Sequence, residues 1–285
     1  MIIHLKPYFE PKTWAGRALN EIYGCGDDIG EAWVVSGFCN KSSIIKNGKF
    51  KGLYLSDVIK DLYDFDSFPI IIKLIANKDK LSLQVHPDDK YAIRKHGKSG
   101  KLEVFYILDK NESKNIILGT KATDKNELLD SIFTDSVEEK LIYKDINPND
   151  LIEIAPGTIH SILENSFILE VQQSSDITYR LYDFNRTPRR ILHIEEAISA
   201  TNIKSKGKFT NLDDIYSNKY FSIEKELIKG QIKKEYSSIK ICFILKGNGC
   251  INNRKIKEFD TFIINDELVS YKGNLEIIEV SIEKR

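Results

Sequence analysis

The 285 residues carry 42 Lys and Arg against 42 Asp and Glu, a formal net charge of zero, and 41% of them are hydrophobic. Such a chain can bury a large core, and without a basic excess it has no electrostatic footprint for nucleic acid or a membrane surface, so the expected partner is a small molecule. Four cysteines, Cys25, Cys39, Cys242 and Cys250, show no CxxC spacing, which argues against a thiolate zinc site and a disulfide framework and makes them reduced, mostly buried thiols.

The start, MIIHLKPYFE, lacks a basic segment followed by an apolar one, and the longest apolar run, PIIIKLIA, is short and carries Lys73. A cytoplasmic protein is expected. Strand-like runs rich in Ile, Val, Phe and Tyr follow one another along the chain at 31–38, 42–48, 69–77, 81–86, 102–108 and 115–119, then at 151–157, 167–173 and 177–184. Helices are fewer. Ser56 opens one with Val58, Ile59, Leu62 and Tyr63 on one face. Pro87 suits the first turn of a second over DDKYAIRKH, which Gly97 ends, and Ser136 with Glu139 forms a capping box in a small helical insertion near 122–143. The pattern predicts a mainly β antiparallel sandwich or barrel of jelly-roll type. Beyond the polar linker KSKGKFT, strand-like runs resume in CFILKGNGCI, KEFDTFIIN and NLEIIEVSI. Two domains are therefore expected, residues 1–205 and a smaller β domain over 206–285. All five histidines, His4, His86, His96, His160 and His193, precede residue 194, so imidazole chemistry belongs to the first.

A strand presents two ligands on one face at i and i+2, and Gln84 with His86 in LSLQVHPDD meets that spacing, although a solvated sheet face would look the same. Glu103 opens a strand whose other positions are nearly all apolar, where an unpaired carboxylate would be costly to bury; an edge carboxylate in water is the alternative. His160 follows a Pro-Gly turn in IAPGTIHSI, a device that can aim an imidazole into a barrel mouth, and equally the setting of a core histidine. As an ordered set these residues make two imidazoles, one carboxylate and one amide oxygen, a mixed N/O site suited to zinc. Lys101 lies two positions before Glu103. Glu170, inside FILEVQQ, is either desolvated or paired with a cation such as Arg180, which alternates with apolar residues on its own strand.

Read together, these motifs resemble those of the type I mannose-6-phosphate isomerases, in their short bacterial form. The resemblance runs through PYFEPKTWAG, GEAWVVSG, FPIIIKLIANKDKLSLQVHPDD, GKLEVFYIL, APGTIHSI and EVQQSSDITYRLYDFNR, in the family's order. It implies a cupin fold, a jelly-roll β-barrel with a small helical insertion followed by a smaller cupin-like β domain. It further implies one zinc ion per chain, held by Gln84, His86, Glu103 and His160. Arg180, Lys101 and Glu170 take the catalytic positions and Ser82 and Asp176 the substrate-binding ones. The implied activity is the interconversion of mannose 6-phosphate and fructose 6-phosphate through an enediolate, by a monomer or homodimer that binds a small-molecule hexose 6-phosphate and neither nucleic acid nor membrane. Two other readings share the fold: a metal cupin of another reaction class, against which Gln84 argues, and a catalytically silent sugar-phosphate binder, against which the full set of Lys101, Glu170 and Arg180 argues. Ala15 and Leu102 depart from the family pattern, and neither is a proposed ligand.

Overall fold

The structure is a computed structural model, and it describes residues 1–63, 65–110, 115–210, 212 and 215–282. The chain divides into two compact units, one made of Met1–Tyr8, Trp33–Ile71 and Asn211–Arg285, the other of Phe9–Ala32 and Ile72–Thr210.

Two sheets whose strands belong mostly to the second unit enclose a core. The larger runs in the order Lys208–Thr210, Leu151–Ile154, Glu103–Lys110, Ser166–Gln173, Ile70–Ala76, Ile29–Val35, Tyr8–Pro11, and the smaller in the order Tyr179–Tyr182, Leu83–Val85, His160–Ile162, Asn115–Thr120, Leu141–Asp145. Side chains alternate across a strand, and the alternation sorts the apolar residues into two layers. Ile116, Leu118 and Ile162 of the smaller sheet meet Ile75, Phe105, Ile107, Ile152, Ile154 and Ile168 of the larger one. Ile117, Leu83, Val85 and Leu181 face the other way and pack with Ala92, Leu128 and Ala197, which lie on helices. The result is a jelly-roll sandwich whose smaller sheet is backed by helices.

The first unit holds one antiparallel sheet, in the order Tyr216–Ser217, Phe221–Tyr236, Glu267–Ile282, Lys240–Ile251, Thr261–Ile264, Ile2–Lys6, Ile44–Ile45. Tyr236 sits opposite Glu267 in register, yet its hydroxyl donates to Glu279 at 2.5 Å. Twelve residues of flat strand would separate those two glutamates by about 40 Å, so the sheet curls on itself, with Gly230 opposite Gly273, both at positive φ, inside the curled hairpin.

Local chemistry departs from the sequence expectations at the helix ends. Asp88 caps the helix Asp89–His96 by accepting from the Tyr91 amide, which leaves Pro87 one position outside the cap, while Gly97 at φ 65° ends the helix as expected. The capping box belongs to Asp124, which accepts from the amides of Asn126 and Glu127, with Glu127 reaching back to the Thr123 amide. Ser136 makes no cap: its hydroxyl faces Thr134, and Val137–Lys140 is a single 3₁₀ turn leading into the strand Leu141–Asp145. The helix expected from Ser56 begins at Leu55. All four cysteines are free, but only Cys242 is buried. Among the described residues no helix is long and apolar enough to cross a membrane.

Candidate active site

Toward one end of the sandwich the inward-facing rows change from apolar to charged. Two residues before Phe105 stands Glu103, two before Ile75 stands Lys73, two before Ile162 stands His160, and Ile168 is followed by Glu170 and Gln172, all of them buried. The two-residue period that builds the core thus delivers these groups to one place. Register closes the set, since His160 and Arg180 both pair with Gln84, and Gln172 pairs with Glu103.

The nitrogen and oxygen donors of His86, Glu103 and His160 lie within 4.8 Å of one another. His86 Nε2 is 3.4 Å from Glu103 Oε2, His160 Nε2 is 2.8 Å from Glu103 Oε1, and the Gln84 amide is 3.2 Å from His160 Nε2. Both imidazoles are oriented from behind: His86 Nδ1 donates to the Ile177 carbonyl at 2.9 Å, and His160 Nδ1 to the Thr158 carbonyl at 3.0 Å. Those bonds place a proton on each Nδ1 and turn both Nε2 atoms toward the centre. Thr158 follows Gly157, whose φ of 85° makes the turn that a side chain would strain.

The electrostatics agree with this arrangement. Burial, then the neighbouring Lys101 ammonium, pushes the His86 imidazole down to about 4, so it is neutral near pH 7. Burial opposes a charge on Glu103, but the neighbouring Lys101 ammonium leads the effects that outweigh it and hold the carboxyl well below the usual range. Lys101 Nζ, 2.6 Å from Glu103 and 3.5 Å from Glu170, is held above its ordinary value by those carboxylates despite its burial. Neither Glu103 oxygen makes a hydrogen bond of good geometry. Two imidazoles that present Nε2, a buried charged carboxylate and an amide that can present its oxygen after a half-turn form a donor set that fits a divalent cation such as zinc.

The other expected residues divide. Arg180 stands opposite Gln84, donates from Nη1 to the Ile191 carbonyl at 2.6 Å, and has a buried Nε with no partner. Glu170 pairs with lysines, at 3.3 Å from Lys73 and 3.5 Å from Lys101, where the sequence had suggested Arg180. Ser82 is buried one residue before the strand of Gln84. Asp176 lies at the surface in an ion pair with Lys98 at 3.2 Å. Sequence reasoning missed Lys73, whose ammonium also donates to Gln172 Oε1 at 2.6 Å. Its signal was present: a lone charge in PIIIKLIA raises the same burial problem as Glu103 in its own strand.

Residues 2–119 match the family described as phosphomannose isomerase type I, catalytic domain. The mannose-6-phosphate isomerase of Streptococcus mutans is 30% identical over 97% of this chain and 96% of its own. The crystal structure of the mannose 6-phosphate isomerase from Bacillus subtilis, 31% identical, matches with a TM-score of 0.90 over 99% of each chain. A mannose 6-phosphate isomerase solved with zinc and yttrium bound, 14% identical, shares the fold at a TM-score of 0.74 over 99% of this chain and 100% of its own.

Proposed function

The chain belongs to the type I mannose-6-phosphate isomerases, and from that membership we propose that it is a cytoplasmic, zinc-dependent enzyme that interconverts mannose 6-phosphate and fructose 6-phosphate by proton transfer through an enediolate. The observation that carries the metal reading is the pair of Nε2 atoms, oriented by the Ile177 and Thr158 carbonyls behind them, converging with the buried Glu103 carboxylate. Gln84, His86, Glu103 and His160 would hold the ion. Bound there, zinc would supply positive charge beside the two substrate oxygens whose charge changes in the reaction.

The remaining steps fall to the chain's own side chains. The isomerisation removes a proton from C2 and returns it at C1, and one group must hold that proton close to both carbons. Glu170 is the group assigned to this task, and what supports the assignment is its burial between Lys73 and Lys101, which balance its charge. Arg180 offers a guanidinium, with one nitrogen left without a partner, to the phosphate or to the enediolate. Ser82 and the exposed Asp176 are assigned to substrate binding. The burial of Lys73, Lys101, Glu103 and Glu170 excludes bulk water from the transferred proton. The segment from residue 206 on, which contains no histidine, is assigned to packing.

A coupled assay of mannose 6-phosphate on metal-analysed protein tests the reading. Isomerase activity that falls with chelation supports it, and activity indifferent to chelation removes the metal from the mechanism.

A further inference from the structure

Three motifs that flank the centre, HPDD, GKLE and EVQQ, contain residues that the chemistry above does not use. Asp89, Gly100 and Gln173 are among them, and the structure joins them. Gln173 Oε1 accepts from the Leu102 amide at 2.8 Å, and the Gln173 amide donates to the Leu102 carbonyl at 3.1 Å. Gln173 Nε2 donates to Asp89 Oδ1 at 3.0 Å, the same oxygen that accepts from the Gly100 amide at 2.9 Å. Between them, the Lys101 amide donates to the Pro87 carbonyl at 3.0 Å, and Ser175 Oγ holds the Ser99 carbonyl at 2.9 Å. Three successive amides, of residues 100, 101 and 102, are thus all engaged. The fit is close: a Cβ on Gly100 would lie 2.4 Å from the Asp88 carbonyl carbon.

The segment held in this way has a particular content. Lys101 and Glu103 flank Leu102, and their side chains meet at 2.6 Å in the centre. Alternate residues of an extended backbone share a face about 6–7 Å apart, so the two side chains reach one place only if the backbone at the residue between them keeps its extended geometry. Here the backbone is fixed at that one residue.

We propose that Gln173 and Asp89 are positioning residues that lock the backbone at Leu102, so that the Lys101 ammonium and the Glu103 carboxylate reach the centre together. The proposal rests on the reading that those two side chains act there. Gln173 is buried and its amide orientation is unambiguous, since one end faces an amide N–H and the other a carboxylate. Asp89 works through its oxygen and needs no charge for the task.

The test combines amide hydrogen exchange, zinc affinity and steady-state kinetics on the full chain. In the wild type the Leu102 and Gly100 amides should exchange slowly; rapid exchange at Leu102 overturns the proposal outright. Gln173→Leu, which keeps volume and removes both side-chain bonds, should speed Leu102 exchange at least tenfold in the metal-free protein. It should weaken zinc binding and lower kcat by about 10–100-fold, the range seen when the support behind a ligand is removed, with KM nearly unchanged. Wild-type exchange and kcat in that variant would contradict the proposal. Asp89→Asn retains the accepting oxygen and should keep most of the activity that Asp89→Leu loses; equal losses would mean that Asp89 acts by charge. If Gln173→Leu does not fold, the wild-type exchange rates and the Asp89 pair decide. A wild type without isomerase activity would refute the underlying reading, whereas the exchange rates would still judge the clamp.

Discussion

Replacing Glu103 by Gln keeps the shape of the side chain and removes one charge from a site where charges are balanced one against another. The carboxylate is 1% exposed and lies 2.6 Å from the Lys101 ammonium. After the substitution, Lys101 and Lys73 are left to share Glu170, at 3.5 and 3.3 Å, so two buried ammoniums face one carboxylate. Removing one partner of a buried pair costs about 3–5 kcal/mol, and because Glu170 still attends Lys101 the lower end applies, about 3 kcal/mol. At about 2–4 °C per kcal/mol for a chain somewhat smaller than this one, the metal-free variant should melt about 6–12 °C below metal-free wild type. Thermal unfolding followed by circular dichroism on chelator-treated proteins measures this. The zinc-loaded pair should differ by more, since the variant also lacks the anionic member of the donor set. A metal-free variant as stable as wild type, or more stable, would show that Lys101 is not left uncompensated and would refute the charge balance described for the centre.

Two further outcomes follow from the same geometry. The His86 imidazole titrates near 6.5 when unfolded and at about 4 when folded, so between those values unfolding takes up a proton and stability rises with pH. The contribution, about 3 kcal/mol at roughly 1.4 kcal/mol per pH unit, is complete above pH 6.5 and lost as pH falls through 4. Urea unfolding of metal-free protein across that window should show one proton more of pH dependence in wild type than in His86→Gln; equal slopes would contradict the buried, neutral assignment. Arg180→Lys should lower kcat/KM by a factor on the order of ten to a thousand with zinc content unchanged, because an ammonium cannot reproduce the guanidinium fork. Wild-type kinetics in that variant would take Arg180 out of the mechanism.

Much of the centre was legible in the sequence because it is built on a period of two. Gln84 and His86 are spaced for one face, and Glu103 interrupts an apolar alternation, a local conflict that a reader can see without a structure. Lys73 interrupts PIIIKLIA in the same way, yet a single charge in an apolar run reads equally well as an argument against a membrane span. The pairing of Glu170 with lysines could not be read, since it depends on which strands become neighbours: Ser166–Gln173 lies between Glu103–Lys110 and Ile70–Ala76 in the sheet, far from their sequence order. The same holds for Ile2 opposite Ile264, a pairing that joins the two ends of the chain and leaves no trace in local composition. Helix ends failed for a different reason. Ser136 and Asp124 both precede a glutamate by three residues, and only the run that follows, helical after Asp124 and extended after Leu141, separates a working capping box from a coincidence.

Wild type and His160→Ala, freed of metal by chelation and then titrated with zinc, put the central claim to its most direct test. In wild type, conversion of mannose 6-phosphate to fructose 6-phosphate should vanish on chelation and return in proportion to bound zinc, reaching its plateau at one ion per chain. His160→Ala should fold, bind zinc far more weakly and recover little activity at the same zinc concentration. Full conversion by metal-free wild type, or zinc binding by His160→Ala that matches wild type, would contradict the account.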